Sequence, residues 1–404
     1  MLRKIKRNVL KFLKKELFIP YKGFKKHDII VIDDIFPNPL SGFRLEEFTQ
    51  ILLFFKKSKI VATGKSYSYI NSNINQFSSD ITEFKNKHKQ QKNKLYKSNN
   101  FVNINTKIFY CIFLNNIYHN LSWLEKYKIP FVFTLYPGGG FQIDNEECNF
   151  KLKKVLQSPQ FRMVIITQKF TADYLIKKDF CATDKIKFIF GGVVPQISLE
   201  KSLANKKTYL KNKQTFDIAF CAAKYMPKGL DKGYDVFIKL AHLLNQKFDY
   251  IRFHIIGGFN ENEIDVSSLK NNIKFYGYQN FENLTAIFQE IDIIISPNKP
   301  FYLSKGSFDG FPLGTVVEAV LNGVVSMVTD KLNQNEVFVN QKEIVIIESD
   351  AIKIEKEIIN LINNPEKLYS IAENGQKKFN EIYSNKLQMN PRIELLNKEI
   401  IKLK

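Results

Sequence analysis

The chain has 404 residues, with 60 Lys and Arg against 40 Asp and Glu and 44% hydrophobic residues. That length exceeds one comfortable core and fits two domains, while the net charge of +20 favours an acidic partner: a phosphorylated substrate, anionic lipid or nucleic acid. Only six of the basic residues are Arg, whose planar fork suits guanine edges and phosphate, so this Arg-poor composition argues against a nucleic-acid reader.

The first segment, "MLRKIKRNVLKFLKKELF" (1–18), sets Leu2, Ile5, Val9, Phe12, Leu13 and Leu17 at helical spacing among Arg3, Lys4, Lys6, Arg7, Lys11, Lys14 and Lys15. This is the pattern of a basic amphipathic helix, expected either to lie on an anionic membrane surface or to dock on its own domain. "DIIVIDDI" (28–35) reads as a buried strand, "FPNPLSGFR" as a loop, and "LEEFTQILLFFKK" as a helix. "KNKHKQQKNKLYK" (85–97) holds six lysines and no acid, and is expected as a solvated loop or a membrane or acceptor contact. Strands follow at 107–114, 130–136, 163–168 and 185–192.

Residues 196–214 are polar and Lys-rich with no strand signal, and are taken as a linker. A second alternation follows: strands at 216–223, 250–258, 272–278, 291–297, 324–330 and 343–349, with helices at 233–246 and 281–290 and more to the end. Alternation at this spacing predicts βαβ units, hence parallel sheets with helices on both faces. The expected division is a first domain over 1–195, the linker, a second domain over 215–375, and a helical segment over 376–404. No apolar run is long enough to span a bilayer, and no secretory signal is seen. The four cysteines and five histidines are scattered, so no metal centre is expected and a reducing cytoplasm suits the chain.

Ligands of parallel sheets bind beyond the carboxyl ends of the strands, which directs attention to four loops. After strand 291–297 comes "NKPFYLSKGSFDGFPLG", then a helix over "TVVEAVLN" stopped by Gly323. Asp309 lies in this loop, and Glu318 is expected in the first helical turn. The backbone amides of Gly314 to Val316 are expected to be free to meet a phosphate. The two carboxylates would repel that phosphate, so they suit the hydroxyls of a ribose and a sugar; alternatively Glu318 only complements the helix dipole. After strand 216–223, Lys224, Lys228 and Lys232 precede Gly233 and a helix start, a diphosphate clamp or a set of solvated lysines. "TLYPGGGFQID" follows strand 130–136. Tyr136 and the consecutive Gly138, Gly139 and Gly140 mark either a tight turn or a backbone approach to an acceptor or sugar. In the first domain, Ser41, Gly42 and Arg44 occupy the equivalent place after the first strand.

Together these pieces resemble the GT-B glycosyltransferases, and within them the retaining family 4 type. "DGFPLGTVVEAVLNGVVSMVTD" looks like that family's acid, Gly-Phe-Pro, second acid and apolar strand, and "KYMPKGLDKGYDVFIKLA" like its basic residue, Lys-Gly and helix. The resemblance implies two Rossmann-like domains facing a central cleft, with the C-terminal helices returning toward the first. It implies that Glu318 holds the donor ribose, Asp309 the transferred sugar and Lys232 the diphosphate, with Lys224 where the family usually has Arg. Gly310, Phe311, Pro312, Leu313, Gly314 and Thr315 would line the donor, and Gly42, with Arg44, the phosphate approach from the first domain. The chain departs from the family in spacing, with eight residues between Asp309 and Glu318 where seven are usual. It also has Tyr136 and a glycine run where His is common.

The implied activity is transfer of a sugar from a nucleoside diphosphate sugar to a glycan or lipid-linked acceptor, without a metal ion or other cofactor, in surface polysaccharide or lipopolysaccharide assembly. A cytoplasmic protein, held by its basic helix on the inner membrane face, is expected. The alternatives are a sugar-nucleotide epimerase or hydrolase of the same fold, and a non-catalytic nucleotide binder.

Overall fold

Short β-branched runs between Gly- and Pro-containing loops build two parallel sheets. The computed structural model describes residues 19–70, 74–98, 101–199, 202–269 and 271–403, so the basic segment 1–18 lies outside the described residues. The strands of the first half are β1 (Ile19–Tyr21), β2 (His27–Asp33), β3 (Ser58–Ala62), β4 (Leu95–Lys97), β5 (Phe101–Asn103), β6 (Thr106–Ile112), β7 (Phe131–Leu135), β8 (Phe161–Ile166) and β9 (Ile186–Phe188). Seven of these form one sheet in the order β4-β3-β2-β6-β7-β8-β9, and β1 pairs separately with β5. The second half supplies β10 (Phe216–Ala222), β11 (Ile251–Gly257), β12 (Ile273–Phe275), β13 (Ile293–Ser296), β14 (Val325–Thr329) and β15 (Val345–Ile347). They form a second sheet in the order β12-β11-β10-β13-β14-β15. The pairings in both sheets are parallel.

Helices α1 (Gly42–Phe54), α2 (Ile74–Lys87), α3 (Leu114–Lys126), α4 (Glu146–Leu156) and α5 (Lys169–Lys177) cover the first sheet. The linker carries the short α6 (Gln196–Leu199). After it come α7 (Tyr234–Asn245), α8 (Phe281–Phe288), α9 (Gly314–Leu321), α10 (Ala351–Asn363), α11 (Pro365–Ile382) and α12 (Asn385–Ile401). Helices on both faces explain why β2, β6, β10 and β13 read as nearly unbroken apolar runs. Strand β3 gave no sequence signal: it buries Lys59, whose amine reaches Asn103 O at 3.3 Å, and leaves only three apolar residues in line. The lysine run 85–97 is not all loop, because α2 runs to Lys87 and Leu95 opens edge strand β4.

The last helix leaves the second domain and docks on the first. Met389, Ile393, Leu396 and Ile400 of α12 join Ile29, Val31 and Phe48 in one core. At its centre Arg392 and Glu47, both 0% exposed, face each other with Nε and Oε1 3.9 Å apart. Tyr136 donates its hydroxyl to Glu47 Oε2 at 2.9 Å and accepts from Arg392 at 3.3 Å, while Tyr110 donates to Glu47 Oε1. Two buried charges are tolerated because each finds the other and hydrogen bonds besides. Removing one partner strands the other. Arg392→Met is therefore expected to cost about 3 kcal/mol or more in denaturant unfolding. The Glu47→Gln/Arg392→Met double variant should lose less than the sum of the single changes; strict additivity would show that the pair is not coupled.

Candidate functional site

The site forms where the loops after β10 and β13 meet. Gly233 brings them together: its φ is +72°, and a Cβ there would sit 2.2 Å from the carbonyl oxygen of Pro297, at the end of β13. Only glycine lets α7 start so close to that strand. Lys232, just ahead, is thereby buried to 3% exposure, and its ammonium meets Asp309 Oδ2 at 2.6 Å. Asn298 Nδ2 donates to the same oxygen at 3.2 Å, and the Lys232 ammonium also lies 4.9 Å from the centre of the exposed Tyr225 ring. Its neighbour Asp231 is buried, with Oδ1 lacking a hydrogen-bond partner among the described residues. Burial pushes the Asp231 carboxyl above its ordinary range, against the pull of Lys232.

The other two lysines of this loop are differently placed. Lys224 is ion-paired with Glu263, and Lys228 takes a left-handed conformation (φ +57°) whose amide donates to Glu263 Oε2 at 3.1 Å. Sequence reading missed Glu263, which lies in the polar loop after β11 and neutralises the first arm of the expected clamp.

Glu318 falls in the second turn of α9 rather than the first, since the helix begins at Gly314. Its carboxylate accepts Ser198 Oγ at 3.0 and 2.9 Å, so the linker helix α6 packs onto this acid. The Val316 amide is bonded to Leu313 O at 2.9 Å, so the expected trio of free amides shrinks. Gly314 and Thr315 keep theirs unpaired among the described residues, and nothing lies within 4 Å of a Cβ built on Gly314. Thr315 Oγ1 donates to Cys221 O at 2.9 Å, which ties this open helix end to the tip of β10. Phe311 and Pro312 are buried beneath the turn, joined by a cis peptide bond. Gly310, Leu313 and Asp309 line a small cavity with Asn298, Thr329 and Gln334.

The first-domain residues divide. Arg44 is buried against Asp33, Nε to Oδ2 3.3 Å, and also donates to Ser41 Oγ at 3.0 Å, so its charge is already neutralised. Gly42 is the first residue of α1 rather than part of a loose loop, and a Cβ there would meet Pro195 at 3.1 Å. Tyr136 is buried, and its hydroxyl is spent in the network around Glu47. Gly138, Gly139 and Gly140 all have positive φ; a Cβ would strike Phe113 at position 139 and Asn115 at position 140, while position 138 opens to free space. The glycine run is thus largely a close turn against the start of α3, with Gly138 left exposed. Among the described residues no group of three His, Cys, Asp or Glu could hold a metal ion.

Two parallel-sheet domains joined by a linker and a returning helix, with an acid, a lysine and open helix amides at the carboxyl ends of the second sheet, have the layout of the GT-B glycosyltransferases. Residues 206–378 match the family model described as "Glycosyl transferases group 1". The whole chain is similar in fold to Anabaena HepE in complex with UDP, at TM-score 0.60 and 13% identity, covering 93% of this chain and 98% of that one. It is similar to a glycosyltransferase from Rickettsia africae at TM-score 0.60 and 16% identity, covering 94% and 100%. It is also similar to sucrose-phosphate synthase from Thermosynechococcus elongatus at TM-score 0.59 and 10% identity, covering 94% and 100%. No curated protein matches the sequence.

A nucleoside diphosphate is expected to raise the melting temperature, with a stabilisation of about 2.7 kcal/mol at a hundredfold excess over its dissociation constant. Glu318→Ala should lose most of that shift in a thermal-melt titration, while Ala at the exposed Glu366 should keep it. Equal shifts in the two variants would reduce Glu318 to a structural residue.

Proposed function

We propose that this protein transfers a sugar from a nucleoside diphosphate sugar to a glycan or lipid-linked acceptor. The observation that carries the reading is the Lys232–Asp309 pair beside the open start of α9, inside the region that matches the group 1 glycosyltransferase model. A diphosphate entering there competes with Asp309 for the ammonium of Lys232 and meets the free amides of Gly314 and Thr315. As the bond between sugar and diphosphate breaks, negative charge grows on the leaving group, and these fixed donors stabilise it without reorganising. Glu318 exchanges its Ser198 hydroxyl for those of the ribose. Asp309, released from Lys232 and still near Asn298, accepts from the sugar hydroxyls. Uridine is the base to test first, because a neighbour of the same fold was crystallised with UDP.

Transfer with retention, as in the family 4 type, and a role in surface polysaccharide or lipopolysaccharide assembly complete the proposal. A lipid-linked acceptor implies work at a membrane face, here the cytoplasmic one. The basic segment 1–18 would lie against anionic lipid, and the described surface beside it supports this. Phe24 is fully exposed among Lys22, Lys25 and Lys26, and the β1–β5 ribbon turns Ile19, Tyr21 and Phe101 outward. No described helix is long and apolar enough to cross a bilayer.

A panel of nucleoside diphosphate sugars, assayed for nucleoside diphosphate release with and without lipid-linked acceptors, tests the reaction. Acceptor-dependent release is expected, and the anomeric configuration of the product read by NMR tests retention. Isomerised donor without acceptor would instead identify an epimerase. Lys232→Met is expected to weaken nucleoside diphosphate binding ten- to a hundredfold, matching a lost charged hydrogen bond of about 1.5–3 kcal/mol. In flotation with anionic vesicles, the triple change Phe24→Ser, Lys25→Gln, Lys26→Gln should reduce binding at least about tenfold, since each lysine near such a surface contributes about 1 kcal/mol. Unchanged flotation would remove this face from the membrane reading.

A further inference from the structure

The loop that carries Asp309 is fastened to the opposite domain on both sides of the acid. Phe308 leaves its own domain and enters the first domain's core, 7% exposed, with the rings of Phe141 and Phe170 edge-on at centroid distances of 5.5 and 5.4 Å. Gly306 O accepts the Ile143 amide at 2.9 Å, and Ser304 Oγ accepts Gln142 Nε2 at 2.9 Å. At Gly306 φ is +77°, and a Cβ would lie 1.8 Å from Ile143 O, so the two backbones touch. On the far side of the acid, Gln334 Nε2 donates to Asp309 O at 3.1 Å and to Gln168 Oε1 at 3.3 Å. The buried Gln168 in turn donates to Phe311 O at 3.3 Å. The socket residues Phe141, Gln142 and Ile143 directly follow the glycine turn, so the acid loop and that turn are interlocked.

A phenyl ring in a close-packed socket is either seated or withdrawn, because packed interfaces repack between discrete states rather than stretch. We infer that Phe308 is a positioning residue for the transfer reaction. Seated, it holds Asp309 toward the donor sugar and joins the acid loop to the cleft face of the first domain. When the domains open, it withdraws and carries the acid away. This role rests on the reading of Asp309 as the sugar-facing acid. Lys232, Glu318 and the first amides of α9 all belong to the second domain, so nucleotide binding does not need the ring to be seated. Closure would then be sensed by the sugar, not by the nucleotide.

Full-length Phe308→Ala and Phe308→Leu test this with three readings. For Phe308→Ala, kcat should fall at least about tenfold, as expected when a reacting group is displaced by a fraction of an ångström to an ångström. Its nucleoside diphosphate dissociation constant should stay within about twofold of the parent, since the nucleotide-facing groups are untouched. Phe308→Leu should fall between the two proteins. Hydrogen exchange of peptides spanning 141–145 should quicken in both variants as Ile143 loses the Gly306 carbonyl. Unchanged exchange overturns the interlock whatever the activity. Faster exchange with unchanged kcat overturns the positioning role, and so does a parallel loss of nucleotide affinity. If the alanine variant does not fold, the leucine variant carries the same readings. Exchange needs no turnover, so an absence of sugar transfer would sink the proposed reaction while leaving the interlock to stand or fall separately.

Discussion

The site depends on one buried ammonium. Lys232 is almost wholly removed from water, and a cation there persists only with a carboxylate at hand. Asp309 supplies it at 2.6 Å, with Asp231 further away at 3.9 Å. The demand for a counter-charge draws the loop after β13 over the loop after β10, and so creates the corner in which a diphosphate and a sugar would meet. The same pair gives a simple chemical logic. In the proposed reaction an anionic ligand would release Asp309 from Lys232, so the acid would become available for hydroxyls only with the diphosphate in place.

Around that corner, parallel strands do the gathering. Each parallel connection returns over a face of the sheet, so loops after strands collect at one edge. Thr315 reaches Cys221 O at the end of β10, and Thr329 reaches Asn298 O beyond β13, which binds three strand ends into one platform. The opposite domain is held over this edge by two unlike devices. In one place α12 is fixed by the enclosed Arg392–Glu47 pair; in the other, beside Asp309, Phe308 is seated among aromatic rings. A buried ion pair resists separation strongly, whereas an apolar ring can be withdrawn without stranding a charge. The first suits a permanent anchor and the second a contact that opens and closes.

Much of this was legible from local pattern. The alternation of short apolar runs with helical segments placed both parallel sheets, and Gly-Phe-Pro ahead of "TVVEAVLN" placed Asp309 in a loop and Glu318 on a helix. The place of Lys232, just ahead of Gly233 and a helix start, was legible too, because glycine after a strand-end loop marks where the helix begins. The errors lie where side chains meet across long separations. Arg44, a free cation in sequence, spends its charge on Asp33. Lys224 does the same with Glu263, a partner 39 residues away. Tyr136 follows a strand end as a ligand residue would, yet it is held inside by Glu47 and Arg392, the latter 256 residues distant. Ser198, which covers Glu318, sits in a segment with no sequence signal beyond polarity.

What the sequence determined by itself is therefore the set of elements and the loops between them, because periodicity, caps and glycine positions act over a few residues. Which charges remain free, and which residue beside the acid crosses into the other domain, was decided only by tertiary structure. Ion pairing and ring packing depend on distances that parallel crossovers and the returning helix α12 establish, and these join residues tens to hundreds of positions apart.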